Sequence, residues 1–93
     1  MIRSWKGKAA EVVFRGIVPK GFPADLLAVT RRRLAQLDAA LSLDDLRSPP
    51  GNRLHALAGD RKGQWSIRVN DQFRICFNWT PTGPMDVEFV DYH

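Results

Sequence analysis

The chain has 93 residues, 44% hydrophobic and 26% charged, with 14 Lys and Arg against 10 Asp and Glu and a net charge of +4. This length excludes a catalytic barrel or a doubly wound nucleotide-binding fold and fits one small domain over residues 1–93, while the average composition excludes disordered and fibrous classes. A single cysteine, Cys76, excludes an internal disulfide and a zinc knuckle; with no signal-like segment and no apolar run of roughly 20 residues, the expected setting is a reducing cytoplasm, away from membranes.

Ile2–Trp5 reads as an edge strand, and Lys8–Arg15 (Lys-Ala-Ala-Glu-Val-Val-Phe-Arg) as a two-turn helix closed by Gly16. Pro23 suits the first turn of a longer helix with Asp25 near its positive end. Leu27, Thr30, Leu34, Leu37 and Leu41 then recur at three- and four-residue steps, which predicts the main amphipathic helix. It should end before Ser48-Pro49-Pro50-Gly51, because proline disfavours helical geometry in the residue before it. Arg31, Arg32 and Arg33 point in three directions around this cylinder and are expected to form a solvated surface.

From Leu54 onward the period becomes twofold. Trp65, Ile67 and Val69 alternate with Ser66 and Arg68, and Phe73, Ile75, Phe77 and Trp79 alternate with Arg74, Cys76 and Asn78. A last strand, Val87–Asp91, follows the turn Pro81-Thr82-Gly83-Pro84. Helices followed by an antiparallel meander define an α+β fold.

Keeping Val69 with Phe73 and Ile67 with Ile75 in the core requires a three-residue loop, Asn70-Asp71-Gln72, and places Arg68 opposite Arg74. Two facing cations need an anion, a neighbouring carboxylate or divergent side chains to relieve their repulsion. Pairing Trp79 with Val87 and Phe77 with Phe89 would set Arg74 opposite Tyr92, on the face that the helices leave open. That face is either simply solvated or a site for a phosphate. The turn Gly59-Asp60-Arg61-Lys62-Gly63 allows the same two readings, a solvated loop or a phosphate contact.

Only two histidines exist, His55 at the start of the strand region and His93 at its end. Singly, each reads as an ordinary surface side chain. Together with arginines they are the groups that cleavage of RNA through its own 2′-hydroxyl needs: a base, an acid and a cation for the phosphate. No HExxH or similar spacing points to a metal, no glycine-rich loop points to a nucleotide cofactor, and Cys76 is expected to be a packed thiol.

The run Arg53-Leu-His-Ala-Leu-Ala-Gly-Asp-Arg-Lys-Gly-Gln-Trp-Ser-Ile-Arg-Val-Asn-Asp-Gln-Phe-Arg-Ile-Cys-Phe77 and the ending Val-Asp-Tyr-His93 resemble HigB-type toxins of bacterial toxin–antitoxin systems. Met1-Ile-Arg-Ser-Trp5 and Leu37-Asp-Ala-Ala40 extend that resemblance over nearly the whole chain. It implies a RelE-like fold and a ribosome-dependent, metal-free endoribonuclease that cuts messenger RNA in the A site. It further implies a HigA-like helix-turn-helix antitoxin, through which alone the pair would bind operator DNA. Position by position, it implies His55 and His93 as proton-transfer groups, Arg74 as phosphate clamp, Tyr92 as a platform for a base and Asp91 as an orienting carboxylate.

Many members carry lysine three residues after the motif histidine, where this chain has Ala58, and proline where it has Ala56. A missing electrostatic contact of this kind costs on the order of 10² to 10³ in rate. The expectation is therefore a weak enzyme, or compensation by Arg61, Lys62 or Arg68, which are also the expected RNA- and ribosome-binding residues. Two other readings stay open: a non-enzymatic inhibitor on the same fold, like ParE toxins, and a binding module whose basic surface docks on an acidic antitoxin segment.

Overall fold

The computed structural model describes residues 1–91, so the expectations for Tyr92 and His93 lie outside the described residues. Helix α1 (Ala9–Phe14) is followed by a 3-10 turn, Ala24–Leu26, that runs into α2 (Leu27–Ala39). Two further 3-10 turns, Leu43–Arg47 and Pro50–Asn52, lead to four strands: β1 (His55–Ala56), β2 (Trp65–Arg68), β3 (Phe73–Thr80) and β4 (Gly83–Asp91). The strands form an antiparallel sheet in chain order, so the expected α+β meander is borne out, with the short β1 as an additional first strand. No helix among the described residues is long and apolar enough to cross a membrane.

The core lies between the two α-helices and one face of the sheet. Val13, Leu34 and Leu37 from the helices meet Ile67, Ile75, Phe77 and Val87 from the strands, all of them fully buried. Burying each such side chain contributes about 1.5–3 kcal/mol before conformational entropy is subtracted.

The first segment, expected as an edge strand, lies parallel to β4 with one bridge, Trp5 to Val87. Its backbone bonds are Arg3 N–H to the Pro84 carbonyl (2.8 Å), Lys6 N–H to the Val87 carbonyl (3.0 Å) and Val87 N–H to the Ser4 carbonyl (3.1 Å). Gly83 allows this close approach: its φ is +126°, and a Cβ there would lie 2.4 Å from the Met1 carbonyl oxygen.

Three expectations are corrected. The main helix does not continue to Ser48. It stops at Ala40, whose backbone is extended, and a new 3-10 turn starts at Ser42. The Asp45 carboxylate accepts hydrogen bonds from Leu41 N–H (2.9 Å) and Ser42 N–H (3.2 Å), which satisfies backbone donors more locally than another helical turn would. Leu41, expected in the core stripe, is consequently 93% exposed. Secondly, Arg33 is only 8% exposed rather than solvated, and its Nε donates to the Arg68 carbonyl at 2.9 Å. Burial first, then the charges of Arg32 and Arg68, lower its pKa from the ordinary arginine value.

The third correction concerns register. Arg74 pairs with Val90, not Tyr92, and Ile75 with Phe89. The β3–β4 turn is shorter than expected, with Thr80 opposite Gly83, and β4 carries two residues, Asp86 and Val87, between partners flanking the single residue Phe77 of β3. Asp86 takes a left-handed conformation, φ +54°, at this bulge. Its N–H donates to Ser4 Oγ (2.8 Å), and its carboxylate accepts from Asn78 Nδ2 (3.2 Å).

The cap at Asp45 carries a pH dependence. The Leu41 and Ser42 N–H groups lower the carboxyl pKa below its ordinary value of 3.8, so the cap stabilises the fold where the carboxylate is ionised. That contribution is present above the ordinary value and is lost as pH falls through the lowered one. The urea midpoint of Asp45→Asn is therefore expected to fall below that of the parent at pH 7, with the gap closing below the ordinary value; a gap that persists there would refute the cap.

Candidate functional site

Arg74 sits on the sheet face opposite the helices. Its Nε donates to the buried Ser66 Oγ at 2.7 Å, and its Nη2 donates to the Arg53 carbonyl at 2.8 Å. Ser66 pairs with His55 across β1 and β2 and with Cys76 across β2 and β3, so His55, Ser66 and Arg74 share one corner of this face. Arg53, Leu54, His55 and Arg74 line a shallow open depression of about 380 Å³.

The backbone brings Arg53 to Arg74 through an unusual turn. Asn52 is fully buried and donates through Nδ2 to the carbonyls of Leu46 (3.2 Å) and Ser48 (3.3 Å), pinning the segment. Arg53 then adopts a left-handed conformation, φ 45° and ψ 56°, that presents its carbonyl to Arg74. The chain enters β1 directly afterwards, with His55 exposed.

Arg68 and Arg74 face each other as the core register required. Two of the three remedies anticipated for their repulsion occur, a neighbouring carboxylate and divergent side chains. Arg68 pairs with the Asp71 carboxylate in the β2–β3 loop, while Arg74 turns to Ser66 and Arg53.

Arg61 reaches across the same face to Glu88, 3.1 Å away on β4, and also donates to Gln64 Oε1 at 3.1 Å. Cys76 is buried on this face outside the main core cluster, consistent with a packed thiol. Burial pushes its pKa up; Arg61 and Arg74 oppose that shift and Glu88 adds to it. Lys62 is exposed just after the Gly59–Arg61 turn.

The structure thus brings His55 and Arg74 to one depression. Arg61 and Arg68 share their sheet face but are held by Glu88 and Asp71. Asp91 pairs with Phe73 across β3 and β4, in alternation with the Val90–Arg74 pair, and accepts from Gln72 Nε2 at 3.1 Å. The residue that sequence reasoning missed is Arg53. The available signal was only its closeness to His55, two residues on, because the left-handed backbone at Arg53 removes the strand alternation that would relate the two side chains.

The helix-backed antiparallel sheet, with a basic, histidine-bearing depression on its open face, agrees with the expected α+β class. A family model described as the RelE-like toxin HigB of type II toxin–antitoxin systems matches residues 14–93, and the chain belongs to that family. The Endoribonuclease HigB of Proteus vulgaris is 34% identical over 93 residues, covering all of both chains. Toxin HigB-1 of Vibrio cholerae serotype O1 is 49% identical over 57 residues, 61% of this chain and 60% of that protein. An uncharacterised protein of Haemophilus influenzae is 39% identical over 57 residues, spanning 56% of its own length. Membership in a type II family implies an antitoxin partner.

Proposed function

We propose that the chain is a ribosome-dependent endoribonuclease that cuts messenger RNA in the A site and so arrests translation and growth. The observation that carries this reading is the Arg74 guanidinium, fixed by Ser66 Oγ and the Arg53 carbonyl at a depression lined by His55. The kinship with the Proteus vulgaris endoribonuclease supports it.

The reaction needs only side chains and the substrate. The ribose 2′-oxygen attacks the adjacent phosphorus as a base takes its proton, and the bond to the 5′-oxygen breaks as an acid protonates it. The products are a 2′,3′-cyclic phosphate and a 5′-hydroxyl. His55 and His93 are the proposed proton-transfer pair, with Tyr92 stacking a base and Asp91 orienting the site. Arg74 stabilises the charge growing on the phosphoryl oxygens, where a preorganised donor is worth most. Lys62, together with the partly engaged Arg61 and Arg68, supplies contacts to messenger or ribosomal RNA. With alanine at position 58, where the family resemblance leads one to expect lysine, the enzyme is expected to be slow.

A surface this small selects a transcript poorly by itself, so the ribosome presents the substrate. The proposed antitoxin is a HigA-like helix-turn-helix protein through which the pair binds operator DNA. Mapping 5′ ends of messenger on programmed ribosomes tests the reading. Wild type should cut within the A-site codon, and His55→Gln and His93→Ala should abolish or strongly reduce those cuts. Growth arrest without cuts would favour a binding toxin, and efficient site-specific cutting of naked RNA would refute ribosome dependence.

A further inference from the structure

The anchoring of Arg74 accounts for the main chain of Arg53 but not for its side chain. Its main chain is left-handed without being glycine, a conformation that persists only where the surroundings impose it and that clusters at functional sites. Its carbonyl is used, because Arg74 Nη2 donates to it at 2.8 Å. A glycine or asparagine would present that carbonyl with less strain, so the main chain alone does not call for arginine.

The side chain stands out electrostatically as well. Arg61 is held by Glu88, Arg68 by Asp71 and Arg33 by the Arg68 carbonyl. Arg53 is exposed, lines the depression beside His55, and its guanidinium has neither a hydrogen bond nor an ion pair among the described residues. Its base is rigid, since Asn52 is buried and bonded to two carbonyls. The result is an arginine on a fixed platform, its guanidinium without a partner among the described residues, in the lining of the depression that Arg74 also lines.

We propose that Arg53 is a second phosphate-binding residue of this site, its guanidinium holding a messenger backbone phosphate beside the one that Arg74 clamps. The inference rests on the endoribonuclease reading for the identity of the ligand. Its chemical requirement is a phosphodiester, which a guanidinium binds through two parallel N–H donors. Arg74, with Nε and Nη2 already engaged, cannot grip two successive phosphates, whereas Arg53 and Arg74 together fix the direction of the strand past His55.

Arg53→Gly separates the side chain from the main chain, because glycine keeps the left-handed backbone and its carbonyl while the guanidinium is lost. Toxin binding is measured on ribosomes programmed with messenger whose A-site riboses are 2′-O-methylated and so cannot attack, with potassium chloride as the variable. Cleavage is measured separately on unmodified messenger. Arg53→Gly should bind about tenfold more weakly, with a salt dependence shallower by about one phosphate contact, and Arg53→Lys should recover most of the slope. On unmodified messenger KM should rise more than kcat falls.

Binding and salt slope unchanged in Arg53→Gly would overturn the proposal. So would weaker binding with an unchanged slope, which would mark a role carried by the main chain. If wild type cuts no messenger, the endoribonuclease reading fails; the salt slopes on 2′-O-methylated messenger then still decide whether Arg53 holds a phosphate.

Discussion

Arg74→Lys is expected to lower messenger cleavage by about 10²- to 10³-fold while leaving a folded protein. A lysine retains the charge but has one nitrogen where arginine has three in a rigid plane. In the native site Nε meets Ser66 Oγ at 2.7 Å and Nη2 meets the Arg53 carbonyl at 2.8 Å, and these two bonds set the plane of the guanidinium. An ammonium can satisfy one of those acceptors or turn to the phosphate, but it cannot be held in place and still present a fixed donor array. The loss should fall mainly on kcat, since charge builds on the phosphate only as the transition state forms. Ser66 is fully buried, and an unpaired hydroxyl there costs about 1–3 kcal/mol, below the 5–15 kcal/mol typical of a domain. Single-turnover cleavage on programmed ribosomes, alongside urea unfolding, separates the two effects. Cleavage within threefold of wild type would exclude Arg74 as the positioned clamp.

Elements with dense local signals were legible in the sequence. The parity of Trp65, Ile67, Ile75 and Phe77 fixed the β2–β3 register, and with it the facing of Arg68 and Arg74. The slide between β3 and β4 was not legible, because its cause is remote. The bulge at Asp86 depends on Ser4, whose hydroxyl accepts from the Asp86 N–H 82 positions along the chain. Arg33 went unread for a related reason. Thr30, Arg33, Leu34 and Leu37 are the buried residues of α2, at steps of three, one and three, but a reading that sorts residues by polarity places any arginine outside. Leu41 was misplaced although a signal existed, since Ser42 and Asp45 have the spacing of a capping box and mark a fresh start rather than another turn.

The candidate site shows the same division. Resemblance placed His55 and Arg74 in one site, and the β1–β2–β3 ladder brings them to one corner. What holds Arg74 there could not be read from pattern. Ser66 looks like any polar residue alternating along a strand, and the Arg53 carbonyl becomes an acceptor only because a pinned turn before β1 inverts the local backbone. Main-chain acceptors leave no trace in side-chain identity, so a carbonyl that orients a functional arginine becomes visible only with coordinates.

Phe77→Ala is expected to destabilise the protein by about 3–5 kcal/mol, a large share of what a domain of this size has. The ring is fully buried, paired with Trp65 of β2 on one side and opposite the β4 bulge on the other. No neighbouring chain end can collapse into the space, because Val87 across the bulge is itself tied to the first segment by the Ser4 and Lys6 backbone bonds. At roughly 4–8 °C per kcal/mol for a domain this small, the thermal midpoint should fall by about 12–40 °C. Phe77→Leu, which keeps most of the volume, should lose far less. A midpoint within 5 °C of wild type for the alanine variant would show that the sheet repacks around the bulge. The contrast with Arg74→Lys is the useful one. Both changes should relieve growth inhibition, but only Phe77→Ala should do so by depleting folded toxin, with the first segment released from β4 and open to protease as the bulge loses its support.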